Sequence, residues 1–411
     1  MKSFDVIVIG GCASGLVAAI NAHRLYPGLS IAVIEKLPRI GKKILATGNG
    51  RCNLSNEIAG SDRCAEYMNS EFTENAFEKY SVNKTLDFFS SLGLKTYTDS
   101  EGRIYPLSNT AASVVDTLRF NLDGIELITD VAVTDVKKQN GGFMLNGEYF
   151  CDKLIIATGG KASPSQGSDG SGYALAESLG HTVTKLYPAL VPLTADAAVT
   201  KPLKGVRIHD ALITLVKCDK SIDSSRGEIL FTDSGISGIA AMEIASALEK
   251  NKEKGTDIFA VIDLVPEMSK AEITDYLTSL CRENCRDCDS MLTGLVPKAA
   301  GIAVLKASGV YSPGKEIKSL TKNDIELIVD TIHHFGIKVT GTKGFDCAQV
   351  TSGGVSTKEI NPGTMESLVC DNLFFAGEII DVDGIHCGGF NLQWAWSSGL
   401  TAGELGGKAE C

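Results

Sequence analysis

The run FDVIVI (4–9) is apolar apart from Asp5 and rich in β-branched side chains, and a short run that is apolar on both faces predicts a strand buried in a parallel sheet. Glycines at positions 10, 11 and 15 punctuate a turn, after which apolar positions recur at helical spacing from Leu16 to Tyr26. SIAVIEK (30–36) then supplies a second buried strand that ends in an acid. Strand, helix and strand in this order predict a β-α-β unit, the context in which a glycine-rich turn gains meaning.

The pattern changes downstream. IELITDVAVTDVKK and GGFMLNGEYF, within 125–150, read as strands and hairpins, and KLIIATGG (153–160) as another buried strand meeting a glycine turn. Alternating stretches such as ALITLVK and IFAVIDLV, between about 192 and 264, predict an antiparallel insert. Residues 268–335 are mainly helical in pattern, and FDCAQVTSGGV (345–355) and NLFFAGE (372–378) return to strands and glycine turns. The 411 residues suffice for two or three domains. The simplest division is a split nucleotide-binding domain (1–191 and 345–411), a β-rich substrate domain (192–266 and 336–344) and a helical insert (267–335).

Charge narrows the partner classes. Lysine and arginine total 39 against 50 acids, a formal charge of −11 without a basic run, which argues against a phosphate-rich nucleic acid and for a small molecule. No apolar stretch approaches the ~20 residues of a membrane span. Met1 leads straight into a strand without the regions of a secretion signal, so a cytoplasmic setting is expected, with the twelve cysteines mostly reduced. Cys281, Cys285 and Cys288 match a C-x3-C-x2-C spacing able to hold three irons of a four-iron cluster. Positions i, i+4 and i+7 also share one helix face, and the helical reading, with no metal, is preferred.

The turn itself predicts dinucleotide binding. In G-x-G-x-x-G the first glycine makes the bend, the second admits the pyrophosphate and the third lets the helix pack on the strand. Gly10 and Gly15 fill the outer places, but Cys12 stands in the middle one, where its Cβ should crowd the pyrophosphate. Cys12 reads as a passive wall residue, with a helix-start thiolate as the alternative. Glu35 lies twenty positions after Gly15, where an acid accepts from adenosine ribose hydroxyls and repels a 2′-phosphate. The site should therefore hold NAD or FAD rather than NADP. The second strand runs into RIGKKILATGNGRCNLSN (39–56), a long loop whose Lys42, Lys43 and Arg51 suit an extended anionic cofactor. ATGG (157–160) offers a second backbone turn, and FFAGEIIDVDGIHCGGFNLQWAWSSG (374–399) a helix N-terminus that suits the pyrimidine end of a reduced flavin.

The blocks GKKILATGNGRCNLSN, GRIYPLS, ATGGKASPSQGSDGSGYALAESLGH, AQVTSGGV, TMES and AGEIIDVDGIHCGGFNLQWAWSSG together resemble bacterial FAD-dependent oxidoreductases of the aminoacetone oxidase and 3-dehydro-bile-acid reductase type. The resemblance implies an α/β fold: a two-dinucleotide-binding-domain flavoprotein with a Rossmann-like FAD domain, an inserted β-barrel-like domain and a helical domain. It implies Ala13 and Ser14 at the pyrophosphate, Glu35 and Lys36 at the ribose, and Arg51, Cys52 and Asn53 alongside the flavin. It further implies the Val133 backbone at the adenine, and Thr158 and Gly159 near the adenosine half. Gly377, Glu378 and Asp383 would meet the ribityl and phosphate portion, and Gly389, Phe390 and Asn391, next to Gly388, the isoalloxazine. The family's three consecutive glycines at 10–12 are broken here by Cys12.

A flavin carries the redox chemistry itself, so the protein has to position substrate, tune the ring and supply a proton. His386, just before the Gly388–Gly389 pair, is a candidate proton donor, with a solvated loop histidine as the plainer reading. Arg51 and Tyr105 are further candidates for polarising a carbonyl, and Tyr105 equally suits the core. Three functions compete: NAD(P)H-dependent reduction of a C=C bond conjugated to a carbonyl, on a small and steroid-like substrate; oxidation of a small amine such as aminoacetone, with hydrogen peroxide as product; and a non-enzymatic flavin-binding or RNA-associated role. One nucleotide fingerprint is visible, so NAD(P)H would bind transiently.

Overall fold

Five parallel strands of the N-terminal unit point their carboxyl ends the same way, and that common edge organises the site. In the computed structural model, which describes residues 1–60, 67–283, 287–312, 314–384 and 386–407, β1 (Lys2–Ile9) leads into α1 (Ala13–Leu25) and then β2 (Ile31–Ile34). β1 and β2 pair in parallel with Ile9 opposite Ile34, and β3 (Ile125–Ile128) adds to β2 with Ile34 opposite Ile128. On the other side β4 (Tyr149–Ile156) lies parallel to β1, Ile156 opposite Ile9, and β5 (Leu373–Phe375) lies parallel to β4, Phe375 opposite Ile156. Ile128, Ile34, Ile9, Ile156 and Phe375 thus end five strands in one row. Toward those ends β1, β2, β4 and β5 are buried apolar runs, as a parallel sheet covered on its faces requires, while β3 leaves Glu126 and Leu127 exposed.

Two departures from the sequence reading occur here. The stretch 131–135 is not a strand: Asn146 takes its backbone groups, accepting from the Thr134 and Asp135 N–H groups and donating to the Ala132 carbonyl. The strand resumes only at Val136–Gln139, which forms a hairpin with Gly142–Leu145 that joins the edge of β4. Residues 39–56 are not a continuous loop either, since Lys42–Ala46 is a short helix.

The sheet is closed by the last helix, α2 (Phe390–Ala402), which packs on α1. Small residues set the close approach: a Cβ on Gly399 would lie 2.5 Å from the Ser14 carbonyl oxygen. α2 also buries Trp394 and Trp396, which project to different sides of the helix. Their indole N–H groups donate to the Gly377 and Leu54 carbonyls, satisfying the one polar atom each ring carries into the core.

The chain divides into two compact units, Met1–Tyr187 with Gln349–Cys411, and Pro188–Ala348. The second contains a closed six-stranded antiparallel barrel, in spatial order Leu193–Ala195, Gly235–Ser237, Lys220–Thr232, Arg207–Lys217, Ile258–Asp263 and Phe335–Thr342. Its inward positions, among them Ile213, Leu215, Phe231 and Ile262, are buried aliphatics and aromatics; closure leaves no unpaired sheet edge. The helices Lys270–Glu283, Lys298–Ala307 and Lys322–His333 belong to the same unit. The first ends at Glu283 and Cys288 opens a separate 3-10 turn, so Cys281 and Cys288 do not share one helical face; Cys285 lies outside the described residues. No helix among the described residues is long and apolar enough to cross a membrane.

Candidate functional site

The turn from β1 into α1 rests on two close approaches. Gly10 has φ +111°, and a Cβ there would come 2.4 Å from the Ala157 carbonyl oxygen; one on Gly15 would lie 1.9 Å from the Gly10 carbonyl oxygen. Neither place admits a side chain. Cys12 has φ −121° and ψ −154°, extended backbone open to any residue, so breaking the glycine pattern brings no backbone strain. It caps α1 without a side-chain hydrogen bond, and the first turn, which begins with the buried Ala13, holds no acid. The leading N–H groups of α1 therefore keep their capacity for an anion. Cys12 retains some surface exposure, yet burial pushes its thiol up from the ordinary range. Desolvation there outweighs the backbone hydrogen bonds and Lys43, which speaks for the passive wall residue over the helix-start thiolate.

Glu35 follows directly from the end of β2 and is buried. Its Oε2 accepts from the Gly11 N–H at 2.7 Å and its Oε1 from the Leu37 N–H at 2.9 Å. A carboxylate offers about four acceptor positions, so two remain for a diol. Lys36 pairs with Asp169 at 2.6 Å, which ties it to the turn after β4. Val133 follows β3, and its backbone N–H and C=O make no hydrogen bond to a described residue.

The lysines of the 39–56 segment have different fates. Lys42 is exposed and donates to the Ser165 carbonyl. Lys43 is largely buried and pairs with Glu378 at 2.7 Å, while the other Glu378 oxygen accepts from the Thr351 N–H. Thr351 Oγ1 in turn accepts from the Lys161 and Ala162 N–H groups. Glu378 is thus a brace holding three chain segments together. Lys43, which the sequence reading set along the cofactor, is thus engaged by Glu378; Thr351 escaped sequence reasoning as a site residue, although it lies inside the AQVTSGGV block that carried the family resemblance.

Arg51 stacks over the Tyr105 ring, 4.6 Å from guanidinium carbon to ring centroid. Cys52 has φ +60° and is fully buried, which pushes its thiol up to about 12; it is no nucleophile at neutral pH. Asn53 follows with its Oδ1 buried and unpartnered.

The carboxyl-terminal segment meets the amino-terminal turn. Ser14 Oγ donates to the Ala376 carbonyl at 3.2 Å. Gly377, at φ +78°, would bring a Cβ within 2.4 Å of Ser14 Oγ, and its N–H donates to Ser398 Oγ. Thr158 lies against Gly10 from the β4 side, and Gly159 beside it faces Ser168 Oγ and the Glu378 carboxylate. Asp383 is buried, and its carbonyl accepts from the Met68 N–H. Gly389 opens α2 close against the Ser55 backbone, and the Gly388 carbonyl accepts from Asn56 Nδ2. The Phe390 carbonyl accepts from Tyr67, and the Asn391 amide closes on Gly384 in both directions. His386 is exposed, 6.2 Å from the Phe390 ring.

Gly10, Glu35, Val133, Thr158 and Gly377 therefore all sit just beyond the row of strand ends, the place where open parallel sheets bind ligands. The residues fit a dinucleotide. Two buried polar atoms without protein partners, Asn53 Oδ1 and Ser168 Oγ, remain for a ligand to satisfy, and a Cβ on Gly159 would lie 3.2 Å from the latter. Among the described residues no group of three or more His, Cys, Asp or Glu is placed to hold a metal.

Comparison with known proteins follows the same lines. The chain is 40% identical to the 3-dehydro-bile acid delta(4,6)-reductase of Clostridium scindens over 97% of both chains. It is 30% identical to the ribosomal RNA dihydrouridine synthase of Haemophilus influenzae, over 95% of this chain and 96% of that one. Among solved structures, 3-ketosteroid delta1-dehydrogenase from Sterolibacterium denitrificans superposes with a TM-score of 0.53 at 12% identity, covering 98% of this chain and 99% of the other. At that identity it speaks for the fold alone. The match to the HI0933-like protein Rossmann domain runs over residues 4–405, and the chain belongs to that family.

Proposed function

We propose that this protein is an FAD-dependent oxidoreductase that reduces a C=C bond conjugated to a carbonyl, on a small steroid-like substrate, with NAD(P)H as the source of electrons. The observation that carries the reading is the row of strand ends, with its acid, glycine turns and unpartnered polar atoms, in a chain 40% identical throughout to a bile-acid reductase. The reaction class has a second support. Dihydrouridine differs from uridine by two hydrogens across a ring double bond conjugated to a carbonyl, so the names of both curated relatives describe one kind of step.

The residues then divide the work. Glu35 would receive the ribose, the start of α1 with Ser14 the pyrophosphate, and Asn53 with the Gly388–Gly389 turn the ring end. Bound FAD would supply the hydride chemistry. Arg51, two residues before Asn53, and Tyr105, on whose ring it stacks, would be polarising groups, and exposed His386 is a candidate to bring a proton. Identity higher by ten percentage points, together with a charge of −11, favours the small substrate over RNA, whose backbone binds through phosphate neutralisation.

The test is spectroscopic. Purified protein reconstituted with FAD is mixed anaerobically with NADH, NADPH or aminoacetone, then with a 3-oxo-Δ4,6 bile acid or a ribosomal RNA transcript. The expected sequence is bleaching by a nicotinamide and reoxidation by the enone. Bleaching by aminoacetone alone would move the protein to the amine oxidases, reoxidation by RNA alone to the dihydrouridine synthases, and protein that stays colourless would overturn the proposal.

A further inference from the structure

Arg51, like Lys153, is a half-buried cation of its unit without an acid beside it. Lys36, Lys43 and Lys79 each pair with an acid, whereas Arg51 makes no ion pair to a described residue in a protein with eleven more acids than bases. Its guanidinium is held by other means. Nε donates to the Gly48 carbonyl and Nη2 to the Tyr105 hydroxyl, both at a long 3.4 Å, and the plane rests on the Tyr105 ring. Tyr105 is buried and pairs across strands with Tyr97, the rings 5.9 Å apart and nearly parallel at 29°. Tyr97 is fixed in turn by its hydroxyl donating to Asn109 Oδ1.

Two tyrosines thus act as a platform that orients one cation. Of five guanidinium donors two make weak bonds, and none faces a carboxylate. Burying a charge part-way without a counter-charge is costly, while stacking on an aromatic face recovers only about 0.5–2 kcal/mol. Such an arrangement suits a group that must keep its charge available for a visiting oxygen. The chain continues through Cys52 to unpartnered Asn53 and then to Ser55 and Asn56, which touch the Gly388–Gly389 turn.

We propose that Arg51, aimed by the Tyr105–Tyr97 stack, is the oxyanion-binding group of this site and receives the substrate carbonyl oxygen as it becomes an enolate. The proposal rests on the reductase reading above. In that reduction a hydride from reduced flavin forms the C–H bond at the β-carbon and the C=C π pair shifts toward the carbonyl. The oxygen takes the negative charge until a proton reaches the α-carbon. Arg51 would stabilise that oxygen, with Tyr105 as its positioning residue.

The experiment titrates FAD-loaded, oxidised protein with 4-nitrophenol, whose phenolate has its own visible band, across pH. In the wild type the bound phenol should ionise at a lower pH than the free one. Arg51→Gln, read at saturating FAD, should remove at least tenfold of that preference and slow enone reduction about 100-fold, the usual effect of losing one oxyanion donor. Tyr105→Leu should lose part of the ionisation effect and Tyr105→Phe keep it. An Arg51→Gln protein that binds phenolate like the wild type, or a wild type that binds only neutral phenol, overturns the assignment. So does an Arg51-dependent site for benzoate without lowered phenol ionisation, which would mark a carboxylate-tail site. Protein that takes up no FAD instead refutes the underlying reading.

Discussion

Replacing Glu35 by Gln keeps the shape of the side chain and removes its charge, so it isolates what that carboxylate does. The two backbone donors, the Gly11 N–H at 2.7 Å and the Leu37 N–H at 2.9 Å, stay in place. An amide has one accepting oxygen, so one N–H would face an NH2 group with nothing to accept it. Hydrogen bonds to charged groups contribute about 1.5–3 kcal/mol, and a buried donor left unpaired costs ~1–3 kcal/mol. The expected loss is about 2 kcal/mol in the FAD-free protein, a fall in Tm of roughly 4–8 °C for a domain of this size class. FAD affinity should fall further, because the two acceptor positions reserved for the ribose become one donor and at most one acceptor. A loss of ~1.5 kcal/mol there is about tenfold in Kd. Differential scanning fluorimetry reports the first number and fluorescence quenching of added FAD the second. A variant that melts like the wild type refutes the account of the turn. One that melts early but binds FAD with unchanged Kd refutes the placement of the ribose.

Two other outcomes follow from the same geometry. Lys43→Met strands the Glu378 carboxylate in a largely buried place, at a cost of roughly 2 kcal/mol after discounting for residual exposure; Lys42→Met should change the Tm by less than about 1 °C, since Lys42 meets only an exposed carbonyl. The double change Lys43→Met with Glu378→Gln should recover part of the loss, and thermal melts that rank the two lysines the other way would contradict the brace. His181 supplies a pH window. Ser367 Oγ accepts from the Val369 and Cys370 N–H groups and so donates its proton to His181 Nε2, and burial holds the imidazole below its ordinary pKa despite Glu359. The unfolded chain therefore takes up the proton first, and stability present above about pH 6.5 is lost as the pH falls through the folded value. Melts between pH 7.5 and 5.5 should show this slope, and His181→Gln should flatten it; an unchanged slope in the variant would assign it to another group.

What the sequence made legible was the part of the site attached to strand ends. Gly10, Glu35, Thr158 and Gly377 could be located because apolar β-branched runs end visibly, and the residue that follows a buried parallel strand reaches the ligand edge whatever the loops do. Three things stayed hidden. Lys42 and Lys43 are neighbours on a helix only five residues long, too short for periodicity to show which faces inward. The stretch 131–135 alternates like a strand, but the side chain of Asn146 takes up its backbone groups, and a polar side chain eleven residues or more away leaves no local signature. The absence of an acid beside Arg51 depends on tertiary placement alone.

The contact of Ser14 with Ala376 spans 362 positions of chain, and α1 meets α2 at the far terminus. On a translating ribosome, at ~5–20 residues per second, the amino-terminal turn would wait roughly 20–70 s for its partner to be synthesised. Throughout that interval the second unit, continuous from Pro188 to Ala348, can fold as it emerges, whereas the first cannot. Completion of the candidate cofactor site is thereby deferred until α2 has been made, and a nascent chain stalled or clipped before residue 390 should leave the α1 face bare and take up no FAD.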